Sequence, residues 1–357
     1  MTFLIAAAGT GGHVFPGLAV GEALVDLGVA HEQILFAGGD RIEATVYPGA
    51  GFPFVGLELR GMKRSLSVGN LGLPRLMWRA RDRIIEQIEQ RGVEVALGMG
   101  GYVTIPTALA ARRSGASLFV AEQNAGAGLA NRVASRWSVR TFTAFPGTHG
   151  LENGEWVGNP VRKSLVDFDR ERLRAEGLTR HRLNRGVPVL GVFGGSLGAG
   201  ALNSAVRSLV TSWAGPPIQV IHLTGHGNIV ETEFHDPTVS WHQVAFEERM
   251  ELFYAVSDLV VARAGGGVAE LTASGTPSIL VPGDFGSSGH QMANAEFLRA
   301  AGAAQVLTED RIGDLRGLVE ATIFDIEALE SMRRGAMKIA KPHAAATIAG
   351  AMLELTR

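Results

Sequence analysis

The chain has 357 residues, 46% of them hydrophobic and 19% charged, with a formal net charge of −2. That composition is globular, too long for one ordinary core, and without the basic excess that nucleic-acid binding would call for. The absence of cysteine excludes a disulfide framework, a thiolate nucleophile and a zinc–sulfur site.

The opening segment, Met1-Thr2-Phe3-Leu4-Ile5, carries no basic leader or cleavage site, so it predicts a strand over Phe3–Ala8 and no signal peptide. The strand runs into Gly9-Thr10-Gly11-Gly12-His13 and a helix over Pro16–Leu27, with Pro16 near its first turn and Gly28 just past its end. Further strands are expected over Gln33–Ala37, Val93–Gly98, Ser117–Ala121 and Thr141–Phe145, alternating with amphipathic segments in the manner of βαβ units. Arg60–Arg83 differs: Lys63, Arg64, Arg75, Arg79 and Arg81 are interleaved with Leu66, Leu71, Leu73, Leu76, Met77 and Trp78. Such a stretch suits an interfacial contact with anionic headgroups, or an ordinary amphipathic helix lying on the sheet. A domain boundary falls near Gly158-Asn159-Pro160, followed by a charged connector over Arg162–Arg185. The strand pattern then restarts over Pro188–Phe193, Gln219–Thr224, Trp241–Val244, Leu259–Ala262, Ser278–Val281 and Gln305–Leu307. A last helix, about His343–Thr356, could pack on either half. No apolar run reaches the roughly 18 residues that a membrane span needs.

Glycine is the compositional outlier, at 47 residues and in no repeat, which points to functional turns and close backbone approaches. Four glycine-rich segments fall at predicted strand ends: Gly9–His13, Gly98-Met99-Gly100-Gly101-Tyr102, Gly194–Gly200 and Ala264-Gly265-Gly266-Gly267. In open parallel sheets ligands bind beyond the carboxyl ends of the strands, so four such turns favour one shared cleft. A dinucleotide site with Asp40 as its ribose acid is the competitor. Neither main turn has the G-x-G-x-x-G spacing, and no G-x-x-x-x-G-K-[ST] loop exists. His13 has the chemistry of a general base, a phosphate contact or a structural residue. Glu122-Gln123-Asn124 follows a strand and offers three polar side chains to the same rim. Glu270, in a predicted first helical turn, could accept two ribose hydroxyls or simply favour the helix dipole. His290 and Gln291 follow the loop Pro282–Gly289, either ligand-facing or plain surface. No carboxylate or histidine cluster has metal spacing, so neither a protein-bound metal nor another cofactor is expected.

Taken in order, Gly9–Pro16, Gly98–Tyr102, Glu122–Asn124, Gly158-Asn159-Pro160-Val161-Arg162, Gly194–Asn203 and Arg263–Glu270 resemble the MurG family, the UDP-GlcNAc–lipid I N-acetylglucosaminyltransferases of peptidoglycan synthesis. The resemblance runs from residue 1 to about 305. It implies an α/β fold of two Rossmann-like parallel-sheet domains facing one cleft, the GT-B architecture. Residues 1–160 would face the membrane and take the lipid acceptor, 161–340 would bind UDP-GlcNAc, and 341–357 would pack back on the first domain. The implied reaction is an inverting transfer of GlcNAc to the C4 hydroxyl of the muramoyl sugar of lipid I, the undecaprenyl-diphosphate-linked muramoyl-pentapeptide. The product would be lipid II, serving cell-wall growth, shape and division. The implied place is the cytoplasmic face of the bacterial membrane, held peripherally through about residues 60–83.

Carried over motif by motif, Ser196 and the adjoining loop amides would hold the diphosphate in place of a metal, with Arg162 and Asn203 close by. Glu270 would take the ribose beside Gly267 and Val268, backbone at Phe246-Glu247 would read the uracil edge, and Gln291 and Asn124 would reach the GlcNAc. Thr10, Gly11, Gly12 and Tyr102 would line the acceptor side, and His13 is the candidate base. The chain departs from the family at Leu197, where Gln is usual, at His290, which replaces the first Gln of a frequent pair, and over Arg263–Glu270, one residue short. A related GT-B transferase with another sugar or acceptor, a sugar-nucleotide epimerase, and a catalytically dead membrane-associated scaffold stay open at this point.

Overall fold

A computed structural model describes residues 1–59, 73–151, 153–195, 198–230, 237–283 and 289–355. The chain divides into two compact units, Met1–Lys163 with Pro342–Arg357, and Ser164–Lys341.

The first unit is built on strands β1 (Thr2–Ala6), β2 (Ile34–Gly38), β3 (Phe54–Gly56), β4 (Val93–Gly98), β5 (Ser117–Glu122), β6 (Arg140–Thr143) and β7 (Glu155–Trp156). They form one sheet in the order β3-β2-β1-β4-β5-β6-β7, every pair parallel. Successive side chains alternate between sheet faces, and here both faces are buried, so β1 reads as an unbroken apolar run. Phe3 and Ile5 join one core with Val14, Val20, Leu24 and Phe36, while Leu4 and Ala6 join the other with Leu35, Ile84 and Val120. Ile348, Ala349 and Met352, from the helix Ala344–Glu354, belong to the first of these cores, although 178 residues of the second unit separate Lys163 from Pro342 in sequence.

The second unit carries β8 (Val189–Phe193), β9 (Ile218–Leu223), β10 (Val239–Val244), β11 (Leu259–Ala262), β12 (Ser278–Leu280) and β13 (Ala304–Val306). Their order is β10-β9-β8-β11-β12-β13, again all parallel. One face is closed by Leu202, Val206, Val319 and Ile323 over Leu190, Val192, Val220 and Val261. On the unit's other side lies the helix Met250–Val256, every residue of which is buried.

Three differences from the sequence expectation have physical reasons. The first helix spans Gly11–Asp26 and starts in the glycine turn itself, where the His13 and Val14 amides bond the Thr10 carbonyl; Pro16 lies inside it at the cost of one main-chain bond. Residues His31–Gln33 form a 3₁₀ turn, so β2 begins one residue late. β3 and β7, of three and two residues, sit at the sheet edges and lack the buried run that signals a strand.

In each sheet the chain winds outward from one strand and then restarts on its other side, between β1 and β4 in the first unit and between β8 and β11 in the second. Those are the topological switch points at which open α/β sheets leave a crevice. All four glycine-rich segments follow these four strands.

Candidate active site

At the first switch point Thr10 caps the helix Gly11–Asp26 with extended backbone but makes no side-chain cap; its Oγ1 instead lies 3.4 Å from His13 Nδ1. His13 is partly buried, and burial holds its imidazole below the ordinary value of 6.5 against the opposing pull of Glu122 and Glu43. The ring rests on Gly100, whose φ is +93° and whose missing Cβ would stand 2.8 Å from His13 Cδ2 and 3.1 Å from Gln123 Oε1. Any larger residue there would push imidazole and amide aside. Gln123 is buried with its Nε2 donating to the Ala121 carbonyl at 2.9 Å, which turns its Oε1 over Gly100, where it meets no donor among the described residues.

Asn124 is placed by a buried carboxylate. Glu122 Oε1 accepts from the Asn124 backbone N–H at 3.0 Å and from Asn124 Nδ2 at 3.1 Å, while Oε2 accepts from Gly128 N–H at 3.1 Å and Asn131 Nδ2 at 2.8 Å. A second buried carboxylate, Glu43, accepts from Gly9 N–H at 3.3 Å and Gly39 N–H at 3.0 Å, tying the ends of β1 and β2 together. Burial, and then the Glu43 charge, push the Tyr102 phenol up to about 12, so it remains a hydroxyl donor throughout the neutral range. Arg162 belongs to this unit, its guanidinium 4.5 Å from the centre of the Phe15 ring.

At the second switch point Ser196 and Leu197 lie outside the described residues. The flanking turn is defined: Gly198 N–H donates to the Gly195 carbonyl at 2.9 Å, and Gly198 sits at φ +74°, against the Thr224 carbonyl. The turn opens into the helix Gly200–Thr211, whose first amides suit an anion. Asn203, one turn in, spends its amide inside the unit: Nδ2 donates to the Thr224 carbonyl at 2.9 Å and Oδ1 lies 3.1 Å from His222 Nε2. His222 is 1% exposed, and burial, reinforced by Arg207, lowers it to about 4.

Glu270 stands in the first turn of the helix Val268–Ala273, after Gly267 and Val268, and its Oε2 accepts from the Tyr254 hydroxyl at 2.9 Å. The turn preceding it is braced by Asn294, whose Nδ2 donates to the Ala264 carbonyl at 2.9 Å, and by the Arg263–Glu309 ion pair at 2.7 Å. Gln291 Oε1 accepts from Gly283 N–H at 2.9 Å. Glu247 is buried: Arg180 grips its carboxylate at 2.9 and 2.7 Å and Arg249 N–H at 2.8 Å. Burial alone would raise Glu247, but these donors bring it below its ordinary value. Its side chain therefore anchors the segment, and Phe246 beside it is exposed and stacked on His226 at 5.7 Å.

The sequence pointed to His13, Thr10, Gly11, Gly12 and Tyr102 in the first unit and to Glu270, Gly267, Val268 and Gln291 in the second; the first group sits at the first switch point, Gly267, Val268 and Glu270 follow β11 at the second, and Gln291 lies in the first turn of the helix His290–Ala300, after β12. Sequence reasoning missed Glu43, Tyr254, His226 and Asn294. Tyr254 and Asn294 lie on helices with no motif of their own, and Glu43 acts on a glycine 34 positions away. Lys63, Arg64, Leu66 and Leu71 lie outside the described residues. On the helix Leu73–Arg91, Leu76 and Met77 pack on the core, while Trp78 is 52% exposed with the Arg81 guanidinium 4.0 Å from its ring centre. Among the described residues there is no metal-ligand cluster, and no helix is long and apolar enough to cross a membrane.

Residues 3–143 match the glycosyltransferase family 28 N-terminal domain and residues 189–348 the C-terminal domain of that family. A Halorhodospira halophila protein named UDP-N-acetylglucosamine--N-acetylmuramyl-(pentapeptide) pyrophosphoryl-undecaprenol N-acetylglucosamine transferase is 39% identical over 354 residues, covering 98% of this chain and 96% of its own. Among solved structures, Acinetobacter baumannii MurG aligns with a TM-score of 0.75 at 25% identity over 99% of both chains. A Neisseria meningitidis UDP-GlcNAc 2-epimerase bound to UDP-GlcNAc aligns at 0.69 over 99% of this chain and 100% of its own; at 12% identity that is a likeness of fold alone.

Proposed function

The chain belongs to the MurG family of glycosyltransferase family 28, and from that premise we propose that it transfers GlcNAc from UDP-GlcNAc to the muramoyl sugar of lipid I, giving lipid II. The observation that carries the site assignment is the position of the family's glycine segments, at the carboxyl ends of β1, β4, β8 and β11.

The second unit takes the donor. The glycine turn after β8, with Ser196, holds the diphosphate against the first turn of the helix Gly200–Thr211. Negative charge grows on the leaving UDP in the transition state, and amides already aimed there stabilise it without reorganisation. Glu270, with Gly267 and Val268, takes the ribose, the Phe246–Glu247 segment takes the uracil, and Phe246 with His226 offers it an aromatic face. Gln291 takes sugar hydroxyls. Asn203 acts indirectly, by fixing Thr224 under the glycine turn.

The first unit takes the acceptor along Thr10, Gly11, Gly12 and Tyr102, and His13 removes the proton of the C4 hydroxyl as the new bond forms in a single inverting displacement. A depressed imidazole is neutral at pH 7 and so already able to accept a proton. The Thr10 contact suits an Nδ1–H, which leaves the lone pair on Nε2. The enzyme works at the cytoplasmic membrane face, with Arg75, Trp78 and Arg79 of the helix Leu73–Arg91 and the preceding basic segment on the anionic surface.

A labelled transfer assay offering UDP-GlcNAc or UDP-GalNAc with a lipid I analogue tests donor, acceptor and activity together. The expected result is GlcNAc on the lipid and little GalNAc. Turnover on a soluble aglycone but not on lipid I, or an altered UDP-sugar with no lipid product, would overturn the proposal.

A further inference from the structure

We propose that Tyr254 is a positioning residue for the donor ribose: its buried hydroxyl fixes the Glu270 carboxylate in the orientation that accepts a vicinal diol, and so helps the enzyme select a ribonucleoside diphosphate sugar over its 2′-deoxy counterpart. The inference rests on the reading of Glu270 as the ribose carboxylate.

The geometry is that of a preorganised donor. Tyr254 is 0% exposed, its ring set edge-on to Phe193 at 6.2 Å and 80° and to Phe253 at 5.4 Å and 75°. Packing of that kind restrains the ring, so the hydroxyl is carried to Glu270 Oε2 by the core rather than by a flexible chain. Glutamate is the opposite case, losing considerable rotamer freedom when it is held in one place. A carboxylate oriented in advance binds a diol without the cost of ordering a flexible side chain, and a donor on one oxygen restricts how far the group can turn.

The two helices that meet through this bond are also held together at their carboxyl ends. Arg170 Nη1 donates to the Ala255 and Ser257 carbonyls at 3.2 and 2.9 Å, at the end of the helix Met250–Val256. Its Nη2 donates to the Ser274 carbonyl at 3.5 Å and to Thr276 Oγ1 at 2.8 Å, just beyond the helix Val268–Ala273. One guanidinium thus holds the helix of Tyr254 to the helix of Glu270, and the tyrosine–glutamate bond is the other clasp.

Tyr254→Phe keeps the ring and its packing and removes only the hydroxyl. Its KM for UDP-GlcNAc is expected to rise about tenfold, the scale of one hydrogen bond to a charged group. Its kcat should stay within about twofold, because the diol is bound alike in ground and transition states. The wild-type preference for UDP-GlcNAc over the 2′-deoxyuridine donor should shrink by a similar factor, with the KM for the lipid acceptor unchanged and the thermal transition of the protein preserved. Glu270→Gln is the companion variant. Loss of the ribose preference in Glu270→Gln but not in Tyr254→Phe overturns the positioning role and leaves the ribose reading standing. Retention of the preference in Glu270→Gln overturns the ribose reading and the inference with it. A Tyr254→Phe enzyme that loses kcat and acceptor binding together has a structural tyrosine, and the proposal falls.

Discussion

His13 and His222 are both imidazoles held below 6.5 by burial, and the difference between them lies in what surrounds the ring. His13 sits over a glycine at a switch point, with two carboxylates pulling against its desolvation; His222 is enclosed, with Asn203 on one nitrogen and, among the described residues, no hydrogen-bond partner on Nδ1. As a base, His13 must be unprotonated, so the acid limb of kcat/KM is expected below pH 6.5. His13→Ala should lower kcat by roughly 10²–10⁴-fold and abolish that limb while donor KM changes little. An unchanged acid limb in the variant would remove His13 from the role. His222 has a stability consequence instead. Its folded form stays neutral down to about pH 4, whereas the unfolded chain binds the proton near 6.5. The unfolded state therefore holds more protons in that window, and stability falls as pH drops through it, by roughly 3 kcal/mol in all. Urea melts at pH 7, 5 and 4 should show a steeper loss in the wild type than in His222→Gln. The catalytic candidate was legible from a histidine after three glycines. Tyr254 and the Glu43 bond to Gly9 were not, because those partners, 16 and 34 positions away, are brought together by helix packing and sheet order rather than by local spacing.

Among the elements, the strands that sequence made plain are those buried on both faces, β1, β4, β5 and β8. An apolar run of that length bounded by glycine has few other uses in a soluble core. The edge strands β3 and β7 and the true start of the first helix were hidden, the edges by brevity and the helix by Pro16, which reads as a beginning but lies inside. The helix Leu73–Arg91 lies on the sheet as an amphipathic helix, and its exposed side carries the residues proposed for the membrane contact. Ala80, Ile84 and Ile88 are buried in the first unit, while Arg75, Trp78 and Arg79 are exposed. Replacing Trp78 and Arg79 together by Ala should weaken binding to anionic vesicles, by about 1 kcal/mol for the charge plus the buried indole area, more visibly at low salt. Equal vesicle binding by variant and wild type in a sedimentation assay would confine this helix to a structural role.

For the whole molecule, the consequential fact is that the first unit is assembled from two stretches of chain. Ile348 and Met352, both 0% exposed, share a core with β1 and with the helix that carries the candidate base in its first turn. Ile348→Ala should cost about 2–5 kcal/mol, and the loss should fall on the first unit. Calorimetry is expected to show the first unit melting earlier than in wild type, while the transition of the second unit keeps its wild-type temperature. A single transition displaced as one would mean that the two units do not unfold separately.

The same arrangement sets an order of events during synthesis. Domains generally fold as they emerge, the amino-terminal one first. Here the reverse holds in part, because the amino-terminal sheet leaves the ribosome with one flank of its core uncovered and must wait for the whole of the second unit to be translated. The second unit can be finished while the first is still missing a wall, and a message cut short after residue 341 would yield the second unit without a complete first one.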